Sequence, residues 1–356
     1  MSGRVMSGRP WRLLALLPLG EDVIRHVLGS LNADITVPAG RNRDGLHAAL
    51  ADTDLVIGDF TGTLALDAAA VAAAPRLAFV QMPQVGVDSC DLGALTAAGV
   101  PLANTAGANA RSVAEWALAA TFDLSRQLTW ADRRMREGGW PQMETAARGA
   151  DELANRRVGV LGMGAIGTEV TRLFRALGCQ VAYWSRRRRE PSEFNTQASN
   201  TGASKSGVFE TVVFETVVFK EIDELLATSD VLVVCVPLTP ETRGLLDAER
   251  LALLPDGAFL VNVARGGIAP DDAVVAALES GRLAGAALDV YEQEPLPADH
   301  PLRRHENVLL SPHSAGATRQ SQLNIITMVV DNMRAATEGR PVTGVVNGID
   351  PVIRRR

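Results

Sequence analysis

RRVGVLGMGAIGTEVTRLFRALG, residues 156 to 178, decides the fold. Val158 to Leu161 is a short apolar run of the kind a covered strand needs, and Thr168 onward has the spacing of an amphipathic helix. Between them stand Gly162, Gly164 and Gly167. In that setting the glycines have separate tasks: a tight turn, a close approach of backbone to a pyrophosphate, and close packing of helix on strand. The helix N-terminus then offers unpaired N–H groups to an anion.

A dinucleotide-binding unit of this kind usually carries an acidic residue about 20 positions on, where it accepts the ribose hydroxyls. Here the next strand, Gln180 to Trp184, ends in Ser185-Arg186-Arg187-Arg188-Arg189. A serine followed by arginines suits a 2′-phosphate through charge-assisted hydrogen bonds. NADP(H) is therefore the expected cofactor, with NAD(H) possible. Arg188 and Arg189 are read as a solvated run.

Outward from this turn the chain alternates. Upstream, apolar runs at Leu13 to Leu17, Leu55 to Ile57, Leu77 to Gln81 and Val100 to Ala103 are separated by alanine-rich helical stretches, the pattern of a parallel sheet. The pattern turns helical from Val113 to about Glu137 and is broken by Gly138-Gly139-Trp140-Pro141. Downstream, strands are expected at Val231 to Val236, Phe259 to Val263 and Val308 to Ser311, and a helix from Arg319 to Glu338 leaves this second unit. VFETV is written twice in tandem from Val208, with Val218-Phe219 opening a third copy. Its period is too short for a solenoid, and the region near 190–219 reads as an insertion or strand extension.

Bulk composition narrows the function classes. The 356 residues suggest two domains and hence a cleft between them; 47% are hydrophobic and 21% charged, as in a globular protein. A net charge of -6 gives no positive field for nucleic acid or an anionic membrane. No apolar run has the length of a membrane span, and Trp11 to Gly20 lacks a cleavage site, so it reads as a first strand and not a leader. The recurring MSGR at Met1 and Met6 reads as a flexible extension or alternative start. Cys90, Cys179 and Cys235 have no CxxC spacing, which suggests no disulfide framework and no metal site. They are read as buried hydrophobes in a reducing, cytoplasmic setting.

Four further segments carry a resemblance: VGVDSCDLGALTAAGVPLANTAGANARSVAEWAL, VPLTPETRGLLDAERLALLPDGAFLVNVARGG, LAGAALDVYEQEPLP and NVLLSPHSAGAT. With the glycine turn, they resemble the D-2-hydroxyacid dehydrogenase family, which includes glyoxylate/hydroxypyruvate reductases and phosphoglycerate dehydrogenases. The resemblance covers nearly the whole chain. It implies an α/β fold of two Rossmann-like doubly wound parallel-sheet domains, with the cofactor domain inserted into the substrate domain. Residues 1–110 with 317–356 would form the substrate lobe and residues 111–316 the cofactor lobe.

The family's arginine falls on Arg265, its glutamate before proline on Glu294, and its histidine after proline on His313. Those residue types suit the reduction of a 2-oxo acid. A guanidinium fork binds a carboxylate and polarises the adjacent carbonyl, and a histidine kept protonated by a carboxylate supplies a proton to the carbonyl oxygen. By the same resemblance Ala165, Ile166, Pro237, Val263, Ala264, Asp289 and Gly316 contact the cofactor. Glu292 receives no assignment. Val85 and Gly86 are expected at the substrate, together with Arg265.

Two positions depart from the family's pattern. Gln84 replaces the first glycine of a GxG loop, so the substrate pocket is expected to differ. Pro270 replaces an acidic residue five positions after the arginine, which is expected to shift a helix cap. Trp140 resembles the tryptophan on a dimerisation arm, implying a homodimer. The expected activity is therefore hydride transfer between NAD(P)H and a small 2-oxo or 2-hydroxy acid, with glyoxylate- or hydroxypyruvate-like substrates. Alternatives are a phosphite-type or formate dehydrogenase, against the latter of which Glu294 argues, and a cofactor-sensing corepressor or scaffold.

Overall fold

A computed structural model describes residues 9–189 and 217–356. The chain divides into two compact units, Met1–Ala108 with Gln322–Arg356, and Asn109–Ser321. Both are α/β units built on parallel sheets.

The first unit carries β1 (Trp11–Ala15), β2 (Ala33–Thr36), β3 (Leu55–Ile57), β4 (Phe79–Gln81) and β5 (Leu102–Ala103), every pairing parallel, in the order β2-β1-β3-β4-β5. Helices α1 (Glu21–Leu28), α2 (Arg43–Leu50), α3 (Ala68–Ala72) and α4 (Leu92–Ala97) connect them. β3 is buried along its whole length, as a strand covered on both faces must be. Three of the helices begin on side chains that accept an orphan N–H: Asn42 from Gly45, Asp67 from Ala70 and Asp91 from Ala94. The four expected strands form, with β1 two residues earlier than expected. β2 lacks a continuous apolar run and is legible only once paired with β1.

The second unit opens with α5 (Ala110–Arg126), α6 (Leu128–Arg136) and α7 (Gln142–Ala147). Its sheet comprises β6 (Arg157–Leu161), β7 (Gln180–Trp184), β8 (Val218–Phe219), β9 (Val231–Val234), β10 (Ala258–Asn262), β11 (Leu283–Leu288) and β12 (Val308–Leu310). Helices α8 (Ala165–Ala176), α9 (Ile222–Ala227), α10 (Ala248–Leu251) and α11 (Asp271–Glu279) lie between them in sequence. The strand order is β12-β11-β10-β9-β6-β7-β8. Numbered within the unit this is the 3-2-1-4-5-6 order of a doubly wound fold with one strand added, and the order reverses between β6 and β9. A crevice at the carboxyl ends of those two strands is where such sheets bind ligands.

The single helix expected from Val113 to Glu137 is two helices. Gln127 breaks it with φ +56°. Its Nε2 donates to the Leu124 carbonyl at 2.9 Å, and Asp123 Oδ1 accepts from Thr129 N at 2.7 Å, so α6 starts on a side chain of α5. No glycine or proline announces this. LAGAALDV, read only as a motif, is mostly strand β11. The VFETV copies up to residue 216 and the MSGR repeat before residue 9 lie outside the described residues; Val218–Phe219, which opens the third copy, is β8, paired with β7.

The last helix, α12 (Arg319–Thr337), leaves the second unit, and its Val329, Met333, Ala335 and Ala336 join the core of the first. Among the described residues no helix is long and apolar enough to cross a membrane.

Candidate active site

The site residues expected in the second unit lie in the segments that follow the carboxyl ends of its strands. Gly162 follows β6, Ser185 follows β7, Pro237 follows β9, Val263 to Arg265 follow β10, Asp289 follows β11 and His313 follows β12. Parallel pairing alone brings those strand ends together.

The glycine turn is built as the sequence implies. Gly162 has φ +107°, which side chains other than glycine avoid, and an added Cβ would stand 2.8 Å from backbone atoms of Cys235 and Val236. At Gly167 a Cβ would meet the Gly162 carbonyl at 1.9 Å. At Gly164 it would meet nothing within 4 Å. The outer two glycines thus serve packing, and the middle one leaves the backbone open at the start of α8. No side chain caps that helix, so the N–H groups of Ala165, Ile166 and Gly167 remain its available donors. These residues fit a pyrophosphate.

Past β7, Ser185 Oγ donates to the Arg187 carbonyl at 2.6 Å, closing a turn from which Arg186, Arg187 and Arg188 are exposed. Arg189 corrects the expectation of a solvated run. It is half-buried, and its guanidinium donates to the Met163 carbonyl, inside the glycine turn, at 2.5 Å. Its backbone N–H donates to the Tyr183 hydroxyl at 3.0 Å. Pro237 begins a turn in which Thr242 Oγ1 donates to the Pro237 carbonyl at 2.7 Å.

The three residues expected to be catalytic follow three successive strands. Buried Asn262, at the end of β10, closes the turn that carries Arg265: its Oδ1 accepts from Ala264 N at 3.1 Å and its Nδ2 donates to the Arg265 carbonyl at 3.0 Å. Arg265 itself donates to the Ala264 carbonyl at 2.7 Å. Gly266 follows, and a Cβ there would lie 1.9 Å from the Tyr291 carbonyl carbon and 2.3 Å from Glu292 N. Only glycine lets the arginine turn pack against residues 291 and 292.

Glu294 and His313 are in direct contact, with His313 Nδ1 2.7 Å from Glu294 Oε2. The other carboxylate oxygen of Glu294 accepts from Tyr291 N at 3.0 Å. His313 occupies the left-handed region at φ +53°, and Asp289 holds it there. The Asp289 carbonyl accepts from His313 N at 2.8 Å, while its buried carboxylate accepts from Ser314 N at 2.7 Å, from Ala315 N at 2.9 Å and from the Ser311 hydroxyl. Asp289 was expected beside the cofactor; its contacts among the described residues are those of an anchor for the histidine turn. Tyr291 adds a second anchor. Its hydroxyl donates towards the Leu288 and Ser311 carbonyls, 2.8 and 2.9 Å away, and accepts from Ser311 N at 3.1 Å. Burial pushes its phenol up to about 12. Gly316 packs on Asn109, whose Nδ2 would lie 2.7 Å from an added Cβ.

Val85 and Gly86 belong to the first unit, in the loop after β4. There the Gln84 carbonyl accepts from Thr105 N at 3.1 Å and the Val85 carbonyl from Asn104 Nδ2 at 2.7 Å. The three thiols are unpaired: Cys179 is buried, whereas Cys90 and Cys235 are only half-buried. Burial raises all three, Cys90 and Cys235 to about 12.

Comparison with known proteins shows the family and the fold. Residues 118–315 match the NAD-binding domain of the D-isomer-specific 2-hydroxyacid dehydrogenases. Glyoxylate reductase of Aeropyrum pernix is 33% identical over 311 residues, 86% of this chain and 84% of that protein. D-3-phosphoglycerate dehydrogenase of Archaeoglobus fulgidus is 33% identical over 94% of this chain, which spans only 59% of that relative's length. Among solved structures, a glyoxylate reductase from Paecilomyes thermophila superposes with a TM-score of 0.80 at 26% identity, covering 93% of this chain and 96% of that one. The chain belongs to the D-isomer-specific 2-hydroxyacid dehydrogenase family. Its family is one of oxidoreductases with a nicotinamide-binding domain, and its fold of two parallel-sheet α/β units is the one the sequence implied.

Proposed function

We propose that this protein reduces a small 2-oxo acid, of the glyoxylate or hydroxypyruvate kind, to the D-2-hydroxy acid, with NADP(H) preferred over NAD(H). The observation that carries the reading is the 2.7 Å contact between Glu294 and His313 on the carboxyl edge of a dinucleotide-binding sheet. A sensor or scaffold has no use for an acid–base pair.

When bound, the reduced nicotinamide supplies a hydride to the carbonyl carbon. The chain's own residues do the rest. Glu294 takes the Nδ1 side of His313, which leaves Nε2 as the atom that gives its proton to the carbonyl oxygen. The Glu294 carboxylate at Nδ1 fixes the orientation and tautomer of the ring, so that Nε2 stays free to face the carbonyl oxygen. Arg265 engages the substrate carboxylate and draws the carbonyl towards the same fork. Asp289 and Tyr291 keep the histidine and glutamate turns in register so that neither group reorganises during the reaction.

Residues 111–316 serve as the cofactor lobe in this account, and 1–110 with 317–356 as the substrate lobe, contributing Val85 and Gly86. Gly162, Gly164 and Gly167, with the N–H groups of Ala165 and Ile166, hold the pyrophosphate. Ser185, Arg186 and Arg187 hold the 2′-phosphate, a reading supported by the exposed guanidinium groups at the end of β7 and the lack of a carboxylate there. Pro237, Val263, Ala264 and Gly316 line the nicotinamide side. A homodimer is supported by the α6–α7 region, where Trp140 is 78% and Met143 79% exposed, two large apolar side chains three residues apart. The unpaired thiols accord with a cytoplasmic setting.

The test is NADPH and NADH oxidation at 340 nm with a panel of 2-oxo acids, followed by chiral chromatography of the product. Turnover that yields the D-isomer supports the reading. An L-product, or no turnover while NADPH binds, would overturn it.

A further inference from the structure

Glu292 ties α11 to the turn that carries Glu294. α11 begins at Asp271 behind Pro270, which has no side chain able to accept the helix's first N–H groups. Glu292 Oε2 accepts the Asp271 N–H at 2.8 Å. In return Asp271 Oδ2 stands 3.4 Å from Glu292 N, and His300 Nε2 stands 3.4 Å from the same oxygen. On its other side the Tyr291–Glu292 peptide packs on Gly266. Glu294 is two residues on, and its two oxygens are taken by Tyr291 N and His313.

The geometry points to Glu292 as a positioning residue: by accepting the first hydrogen bond of α11 it fixes the 291–294 turn and so keeps Glu294 against His313. This rests on the proposed reductase reading for its effect on rate. The acceptor oxygen matters here more than the charge. Burial raises the Asp271 carboxyl above its ordinary value; the Glu292 N–H opposes that, the Glu292 charge adds to it, and His300 opposes it. A neutral acceptor of the same reach therefore serves as well.

Three variants of the full chain separate reach from charge: Glu292→Gln keeps the reach, Glu292→Asp keeps the charge but is too short, and Glu292→Ala keeps neither. Hydrogen exchange at the amides of Asp271 and residues 289–294 is followed in cofactor-free protein, alongside kcat and KM for hydroxypyruvate with NADPH. In the Ala and Asp variants exchange rises and kcat falls, each about tenfold, with KM within about twofold; the Gln variant stays within about threefold of the parent in both. Unchanged exchange in Glu292→Ala, or a Gln variant as defective as Ala, overturns the proposal. Should the parent turn over no oxo acid, the reductase reading fails, while the exchange pattern still decides whether Glu292 holds the turn.

Discussion

Gly266→Ala is a small change with a large calculated consequence. An added Cβ would lie 1.9 Å from the Tyr291 carbonyl carbon and 2.3 Å from both Glu292 N and the Tyr291 carbonyl oxygen, all of them backbone. No rotamer relieves that collision, so the 291–294 turn must recede by about 1 Å to reach the shortest separation seen for real Cβ atoms. Carried rigidly to Glu294, a shift of that size takes the 2.7 Å contact with His313 out of hydrogen-bonding geometry. A displacement of that size costs roughly a hundredfold in rate, or about 2.7 kcal/mol of barrier. Overpacking itself removes about 1–3 kcal/mol of stability, leaving a folded protein. The assay is kcat and KM for 2-oxo acid reduction at 340 nm, with NADPH affinity from fluorescence quenching and folding checked by thermal unfolding. The expected result is a hundredfold lower kcat with NADPH binding within about threefold of the parent. A folded variant that retains a third or more of the parent's kcat would refute the argument that Gly266 sets the catalytic turn.

Other outcomes follow from other parts of the structure. Replacing Arg186 and Arg187 together by alanine raises KM for NADPH at least about tenfold and leaves KM for NADH within about twofold, because only the 2′-phosphate needs the guanidinium groups; equal effects on both cofactors would contradict this. Tyr291→Phe takes the hydroxyl away from the Ser311 carbonyl, while the Ser311 N–H and the Leu288 carbonyl keep their own 3.0 Å bond, at a cost of about 1–3 kcal/mol at pH 8. Since the folded Tyr291 phenol is raised from 10.0 to about 12, its neutral form contributes stability in full below pH 10 and loses it as pH rises through 12. The stability gap between parent and Phe variant in urea unfolding should therefore narrow from pH 8 to pH 12, and a constant gap speaks against it. Trp140→Glu should convert a dimer to a monomer in sedimentation; an unchanged sedimentation coefficient would place the dimer contact elsewhere or remove it.

The parts of this molecule that were legible in the sequence are those governed by local pattern. The turn at Gly162 to Gly167 was readable because a strand, three glycines and a helix follow in one short stretch, and the separation of roles among those glycines is visible in their surroundings. Arg265, Glu294 and His313 could be singled out only jointly, through their ordered motifs, and of these the structure brings Glu294 against His313. What escaped is set by packing between segments distant in sequence. Nothing in ARGG tells that Gly266 backs on Tyr291, nor does YEQEP say that its first glutamate starts a helix 21 residues upstream. Arg189 was misread for the same reason: its place depends on the fold of the turn it reaches back to. The break at Gln127 arises from side-chain bonds across two helices, a signal that residue preferences do not carry.

In the proposed reaction His313, held by Glu294, gives the proton that accompanies hydride transfer. Single-turnover oxidation of bound NADPH by a 2-oxo acid, compared between the parent and His313→Ala, isolates that step from binding and product release. The account predicts a rate constant lower by about a thousandfold in the variant, with NADPH affinity unchanged. A variant that transfers hydride as fast as the parent would contradict it.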